Sequence, residues 1–199
     1  MKRTLLFAGL VVSLLLGFSS NSYAVIVNVI NPSDDGCIYP NGPVVTSSYL
    51  LSAGYIRGVV EFPLNSVTYN IEKATLSINP YSLPLWGKSV NLYGYASNDG
   101  KLTFADYNAG DFLGTWTLPD NLWFGQDAYF DVTDFMSQVK SPYVGFNLRS
   151  NGTDVFSSVE YNYGHPAQLS LVPTPEPASM LLFGLGGLGM AFIRRKQKA

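Results

Sequence analysis

Between residues 25 and 172 the chain repeats one pattern: a short run rich in apolar, β-branched and aromatic side chains, in several cases at every second position, then a cluster of Gly, Pro, Asn or Asp. Alternation with a period of two marks a strand with one buried face. The pattern predicts strands over 25–30, 55–62, 74–78, 90–95, 112–118, 128–132, 143–148, 155–161 and 168–172. The breaks carry Asn31-Pro32, Asp34-Asp35-Gly36, Asn41-Gly42, Asn98-Asp99-Gly100 and Asn151-Gly152. Asn-Gly and Asp-Gly suit tight turns because both residues tolerate positive φ. Only 133–139 departs from the pattern and reads as a short helix, capped by Asp131 or Thr133. Many short strands with turn signals between them predict an all-β domain, a single jelly-roll-like β-sandwich over 25–172.

Both ends of the chain break the alternation and read as addresses. Lys2 and Arg3 precede an almost unbroken apolar run from Thr4 to Phe18. Ser22 and Ala24 then put small residues where a signal peptidase cuts, between Ala24 and Val25, so 1–24 is expected to be a signal peptide. At the other end, 173–199 reads as three consecutive parts. A Pro-rich stretch contains Pro175-Glu176-Pro177. An apolar, Gly-rich segment follows over 178–193, and then a basic cluster over 194–198 that includes Arg194, Arg195 and Lys196. As a helix, 178–193 spans about 24 Å, somewhat short of a ~30 Å hydrocarbon core, a mismatch that local thinning absorbs. The basic cluster is expected to stay on the cytoplasmic side, leaving the domain outside. The run 184–189 also matches G-x-G-x-x-G, but the βαβ setting a dinucleotide site requires is missing around it.

This tail closely resembles the PEP-CTERM sorting signal of Gram-negative bacteria. The resemblance implies a membrane-anchored precursor recognised and processed by an exosortase, and a link to exopolysaccharide and biofilm. The expected product is an exported protein of the cell surface or extracellular matrix. The body is similar, more loosely, to DNRLRE-type or carbohydrate-binding-module-like β-sandwich domains. The carriers are Arg57-Gly58-Val59-Val60-Glu61-Phe62, Lys73-Ala74-Thr75-Leu76, Asp131-Val132-Thr133 and the final Pro166-Ala167-Gln168-Leu169 stretch.

Charge narrows the function classes. Residues 25–175 hold six basic and thirteen acidic side chains, a formal −7, which disfavours nucleic acid as a partner. The single cysteine, Cys37, cannot form an intramolecular disulfide and is expected to be a small buried hydrophobe. The only histidine, His165, cannot build a usual zinc site or a paired-histidine centre and reads as a turn or packing residue. Asp106, Asp111, Asp120, Asp127 and Glu160 are available for glycosidase chemistry, yet their spacing picks out no pair. Catalysis is therefore not expected. The clustered oxygens of Asp34-Asp35 and of the Asp106–Asp111 stretch make structural calcium a weak expectation, with Asp34, Asp35, Asp106 and Asp111 as ligands. Glycan contact would use aromatic rings in loops, for which Trp86, Trp123, Tyr161 and Tyr163 are the candidates. The expected function is structural or adhesive within an exopolysaccharide matrix. The alternatives are a glycan-binding module and a cryptic polysaccharide-active enzyme.

Overall fold

The computed structural model describes residues 27–46, 49–52, 55–80, 89–117, 126–150, 152, 154–159 and 165–174. Among the described residues twelve strands occur in this order: β1 (Asn28–Ile30), β2 (Asp34–Ile38), β3 (Val44–Val45), β4 (Tyr49–Ser52), β5 (Arg57–Pro63), β6 (Ile71–Ile78), β7 (Ser89–Ser97), β8 (Asp111–Thr117), β9 (Ala128–Asp131), β10 (Tyr143–Ser150), β11 (Asp154–Ser157) and β12 (Gln168–Pro173). One helical turn, α1 (Thr133–Met136), separates β9 from β10, and a 3-10 turn, Phe104–Asn108, precedes β8. A four-stranded sheet has the order β1-β12-β6-β9 and a six-stranded sheet the order β3-β2-β5-β10-β7-β8; β11 and β4 form a separate ribbon. Every pairing among the described strands is antiparallel.

The two larger sheets pack face to face, as the alternation requires. Val60 and Phe62 of β5, Val90 and Leu92 of β7, and Val144, Phe146 and Leu148 of β10 point inward from the six-stranded sheet. Ala74, Leu76 and Ile78 of β6 with Leu169 and Leu171 of β12 meet them from the four-stranded sheet. Phe62 and Phe146 touch edge to face at 6.0 Å. Trp116 of β8 lies 4.9 Å from Phe130 of β9, so an aromatic pair bridges the two sheets at one edge. Such pairs add about 1 kcal/mol beyond the area they bury.

Nine predicted strands recur, most with ends moved by one to three residues. The clearest correction is Asp34-Asp35-Gly36, expected as a turn and found as the start of β2. These residues pair with β5 in the register Asp34–Glu61 to Ile38–Arg57. Gly36 is a close-approach glycine: a Cβ there would meet the Val45 carbonyl oxygen at 2.5 Å. Asp35 is buried and accepts the Val159 N–H at 3.0 Å, so its carboxylate replaces a strand partner. The helix is also shorter than expected. The Asp131 carboxylate accepts the Thr133 N–H at 3.0 Å and the Thr133 hydroxyl at 2.6 Å, which starts the turn. No helix among the described residues is long and apolar enough to cross a membrane, and 178–193 lies outside them.

Candidate functional site

Strand direction gives the sandwich two poles. At one pole β6 ends, β9 begins and β12 begins, with Ile78 beside Ala128 and Ser77 beside Gln168. On the other sheet Ser89 of β7 pairs with Thr117 of β8. The flanks of three chain segments, 81–88, 118–125 and 160–164, therefore share this pole. Asp127 ties them together. Its Oδ1 accepts the Asn79 side-chain amide at 3.0 Å and lies 3.4 Å from Nε2 of His165. Its Oδ2 accepts the Tyr129 hydroxyl at 3.4 Å. The Ser157 N–H donates to the Asn79 carbonyl at 2.8 Å, and an isolated bridge joins Pro80 to Phe156. His165, expected as a turn residue, thus sits half-exposed against a carboxylate that fastens loop stems. Trp86, Trp123, Tyr161 and Tyr163 belong to the three segments and lie outside the described residues.

The opposite pole holds the end of the last described segment, 165–174. β12 takes the chain across the sheet, a span of about 20 Å for six residues at roughly 3.3 Å each. Pro173 pairs with Ile71 after a register shift, and both the N–H and the hydroxyl of Thr174 donate to the Asn70 carbonyl, at 2.8 and 2.9 Å. β1 enters at this same pole, with Asn28 opposite Leu171 and its side-chain amide donating to the Tyr69 hydroxyl at 2.6 Å. An open cleft of about 600 Å³ adjoins it, walled by Leu64, Tyr69, Ile71, Met136, Val139 and Lys140.

Between the poles, the outer face of the six-stranded sheet is the chemically richest surface. Period two puts Arg57, Val59 and Glu61 of β5 on this face, with Tyr143, Gly145, Asn147 and Arg149 of β10 and Asn91, Tyr93, Tyr95 and Ser97 of β7. Glu61 is fully buried, and its carboxylate accepts the Tyr95 hydroxyl at 2.9 Å and the Ser97 hydroxyl at 3.1 Å. Burial raises its pKa from 4.5 to about 7, against the lowering effect of those two bonds; repulsion from Asp106 and Asp99 adds to the rise. The Tyr95 phenol is pushed upward by burial and then by the Glu61 charge. The stretch 98–110 folds over this face. Asp34 accepts the Leu102 N–H at 3.0 Å, the Asn147 amide donates to the Asp106 carbonyl at 2.8 Å, and Arg149 Nη2 donates to the Ala109 carbonyl at 3.0 Å.

The four carboxylates expected as calcium ligands separate into different tasks. Asp34 and Asp35 hold N–H groups from distant segments, as described. Asp106 accepts the Thr103 N–H at 2.8 Å and the Thr103 hydroxyl at 2.9 Å, closing a capping box on the 3-10 turn. Asp111 is exposed at the start of β8. No group of three or more His, Cys, Asp or Glu side chains among the described residues could hold a metal ion. Cys37 is buried, 2% exposed, beside Ile56 and Tyr39.

Fold and chain exit define an all-β domain that hands its last strand directly to a C-terminal signal. That signal is recognised by a family model: residues 173–196 match the PEP-CTERM protein-sorting motif. The match contains Pro175, Glu176, Pro177, Arg194, Arg195 and Lys196, all outside the described residues, as are Ala24 and Val25 at the expected signal cleavage site. It implies processing by an exosortase and an exported, membrane-anchored precursor. The match covers the tail alone and carries no likeness between the body and the DNRLRE-type or carbohydrate-binding-module-like domains. Among curated proteins, none matches the chain.

Proposed function

We propose that this protein is a structural and adhesive component of an exopolysaccharide matrix or biofilm at a Gram-negative cell surface. It is displayed by its sorting tail, and it contacts glycan at the pole farthest from that tail. Its role is not catalytic. The polarity of β12 is the observation that supports this reading. The strand starts among the stems of the segments bearing Trp86, Trp123, Tyr161 and Tyr163 and ends at Pro173, with Thr174 alone between it and Pro175-Glu176-Pro177. In a precursor anchored at 178–193, that geometry presents the aromatic-bearing pole outward, where ring faces stack on pyranose faces. Signal peptidase removes 1–24 at export, and exosortase processing at the tail then releases the domain to the surface or matrix.

The test is retention. Cells carrying Trp86→Ala with Trp123→Ala should process and export the protein normally but shed it into the medium, while the wild-type protein stays with the matrix fraction. Unchanged retention of the double variant would overturn the assignment of glycan contact to this pole.

A further inference from the structure

The cleft at the tail pole is an apolar surface with fixed walls. Leu64, Val67, Tyr69, Ile71 and Val139 pack one side against the core and stay half-buried on the other. Several bonds hold these walls. The Leu64 N–H donates to the Pro142 carbonyl at 2.7 Å, and the Val67 N–H to the Leu64 carbonyl at 2.9 Å. The Tyr69 hydroxyl accepts the Asn28 amide at 2.6 Å, which pins the ring. Lys140, exposed at the rim, is the one charged side chain among the described lining residues.

The segment that leaves the domain beside this cleft has matching chemistry. Thr174 is bonded twice to the Asn70 carbonyl and Pro173 pairs with Ile71, and both Asn70 and Ile71 line the cleft. Pro175 therefore begins one peptide unit, about 3.8 Å from Cα to Cα, past a residue fastened to the cleft wall. Three extended residues reach about 9 Å from there, at ~3.1 Å each. A cleft of about 600 Å³ is large enough for a ligand of that size. Pro175 and Pro177 bring no N–H to be stranded on an apolar surface, and extended Pro-rich segments suit grooves with an aromatic wall. Glu176 is the only charged residue between 173 and 193, and its sign is opposite to that of Lys140.

We propose that this cleft is the docking site for the chain's own Pro175-Glu176-Pro177. The two proline rings pack against Tyr69, Val67 and Val139, and the Glu176 carboxylate pairs with Lys140. The exposed ion pair sets orientation, while the apolar walls supply the attraction. Tethering makes a weak contact sufficient. A short linker gives an effective concentration of order millimolar, so a site with an intrinsic Kd of about a millimolar is half-filled. A seated motif is covered by its own domain, and the exosortase must displace it before processing. Seating also fixes the sandwich relative to the segment 178–193. The proposal concerns a surface away from the loop pole and does not depend on glycan contact.

The experiment is zero-length carbodiimide coupling of the full chain, purified in detergent from a host without exosortase and read by peptide mass spectrometry. Carbodiimide joins an amine to a carboxylate where the two touch. The intramolecular Lys140–Glu176 link should be at least fivefold more abundant than any link from Glu176 to another lysine. Val67→Asp, which puts a charge on the apolar wall, should cut that yield at least fivefold. So should Pro175→Ala combined with Pro177→Ala. Circular dichroism will show whether Val67→Asp keeps the native spectrum; the double proline variant lies beyond the last strand and stands as the independent test. Links from Glu176 spread evenly over the lysines, or no link at all, would overturn the proposal. A link from Lys140 to Glu176 of a second molecule, seen as a covalent dimer, would give the cleft to another copy and overturn it too. A Lys140–Glu176 yield that both variants retain would reduce the contact to tethered proximity and also overturn it. The matrix-retention test of glycan contact reads a different pole, so either reading can fail without the other.

Discussion

Tyr95 reaches across β10 to donate its hydroxyl to Glu61 at 2.9 Å, and it can do so only because Gly145 lies between them. The three residues form one row over three strands, Glu61 beside Gly145 and Gly145 beside Tyr95. The Tyr95 ring occupies the space a side chain at 145 would fill. A buried carboxyl, a buried phenol and a missing side chain thus form one polar unit beneath the 98–110 stretch.

Replacing Gly145 by alanine should disrupt that unit. The new Cβ would collide with Cζ and the hydroxyl of Tyr95, so ring or strand must move. Overpacking of this kind costs about 1–3 kcal/mol. For a domain of this size the melting temperature should fall by roughly 2–12 °C, since each kcal/mol moves it by about 2–4 °C. Differential scanning fluorimetry measures it; an unchanged midpoint would mean that Tyr95 does not need the gap.

Stability should depend on pH through Glu61. Its folded pKa of about 7 stands above the ordinary 4.5, so the native state holds the proton more tightly than the unfolded chain. The resulting stabilisation is fully present below about pH 4.5, declines as pH rises, and is lost above about 7. The swing is on the order of 3 kcal/mol at most. Glu61→Gln keeps an acceptor for Tyr95 without the titration. The difference in urea midpoint between variant and wild type should therefore grow in the variant's favour from pH 5 to 8. A constant difference would show that Glu61 does not titrate in this window.

The Asp106 carboxylate is engaged by Thr103, so Asp106→Ala should cost about 1 kcal/mol, the usual worth of such a cap. That loss should be the same in calcium and in chelator. A loss confined to calcium-containing buffer would assign Asp106 to a metal, because a ligand bound only by the native state stabilises it by mass action.

Tail processing should require Pro175-Glu176-Pro177. Three alanines there remove the barrier to helix and the only charge in the motif. The variant should accumulate as a membrane-bound precursor, whereas wild type loses the tail. Deleting Arg194, Arg195 and Lys196 should instead mis-sort the precursor by weakening its orientation. Immunoblots of cell fractions read both outcomes. The tag belongs in the Asn41–Gly42 turn, because Pro173 and Thr174 are held by Ile71 and Asn70. Equal processing of wild type and the triple variant would reduce the tail to an anchor.

By itself the sequence determined what depends on neighbours along the chain. Period-two alternation marked the long strands, because a half-buried strand must alternate whatever its partners are. The tail motif was legible because contiguous residues carry it. What only the tertiary structure decided are pairings between residues far apart. Asp34-Asp35-Gly36 has turn composition, yet β5 supplies a strand edge, and Leu102 and Val159 supply donors for the two carboxylates. The 3-10 turn at Phe104–Asn108 escaped notice because Asp106 looked like a metal ligand, while its use as a cap is a matter of three-residue geometry. Glu61 looked like one acid among thirteen; its burial and its bond to Tyr95 exist only once β5, β10 and β7 are in register. Arg57 and Arg149 are 92 positions apart in sequence, and only antiparallel pairing of their strands makes them neighbours. Local pattern selects strand or turn, but sheet register decides which charges meet, because hydrogen bonding between strands fixes distances that the linear chain leaves open.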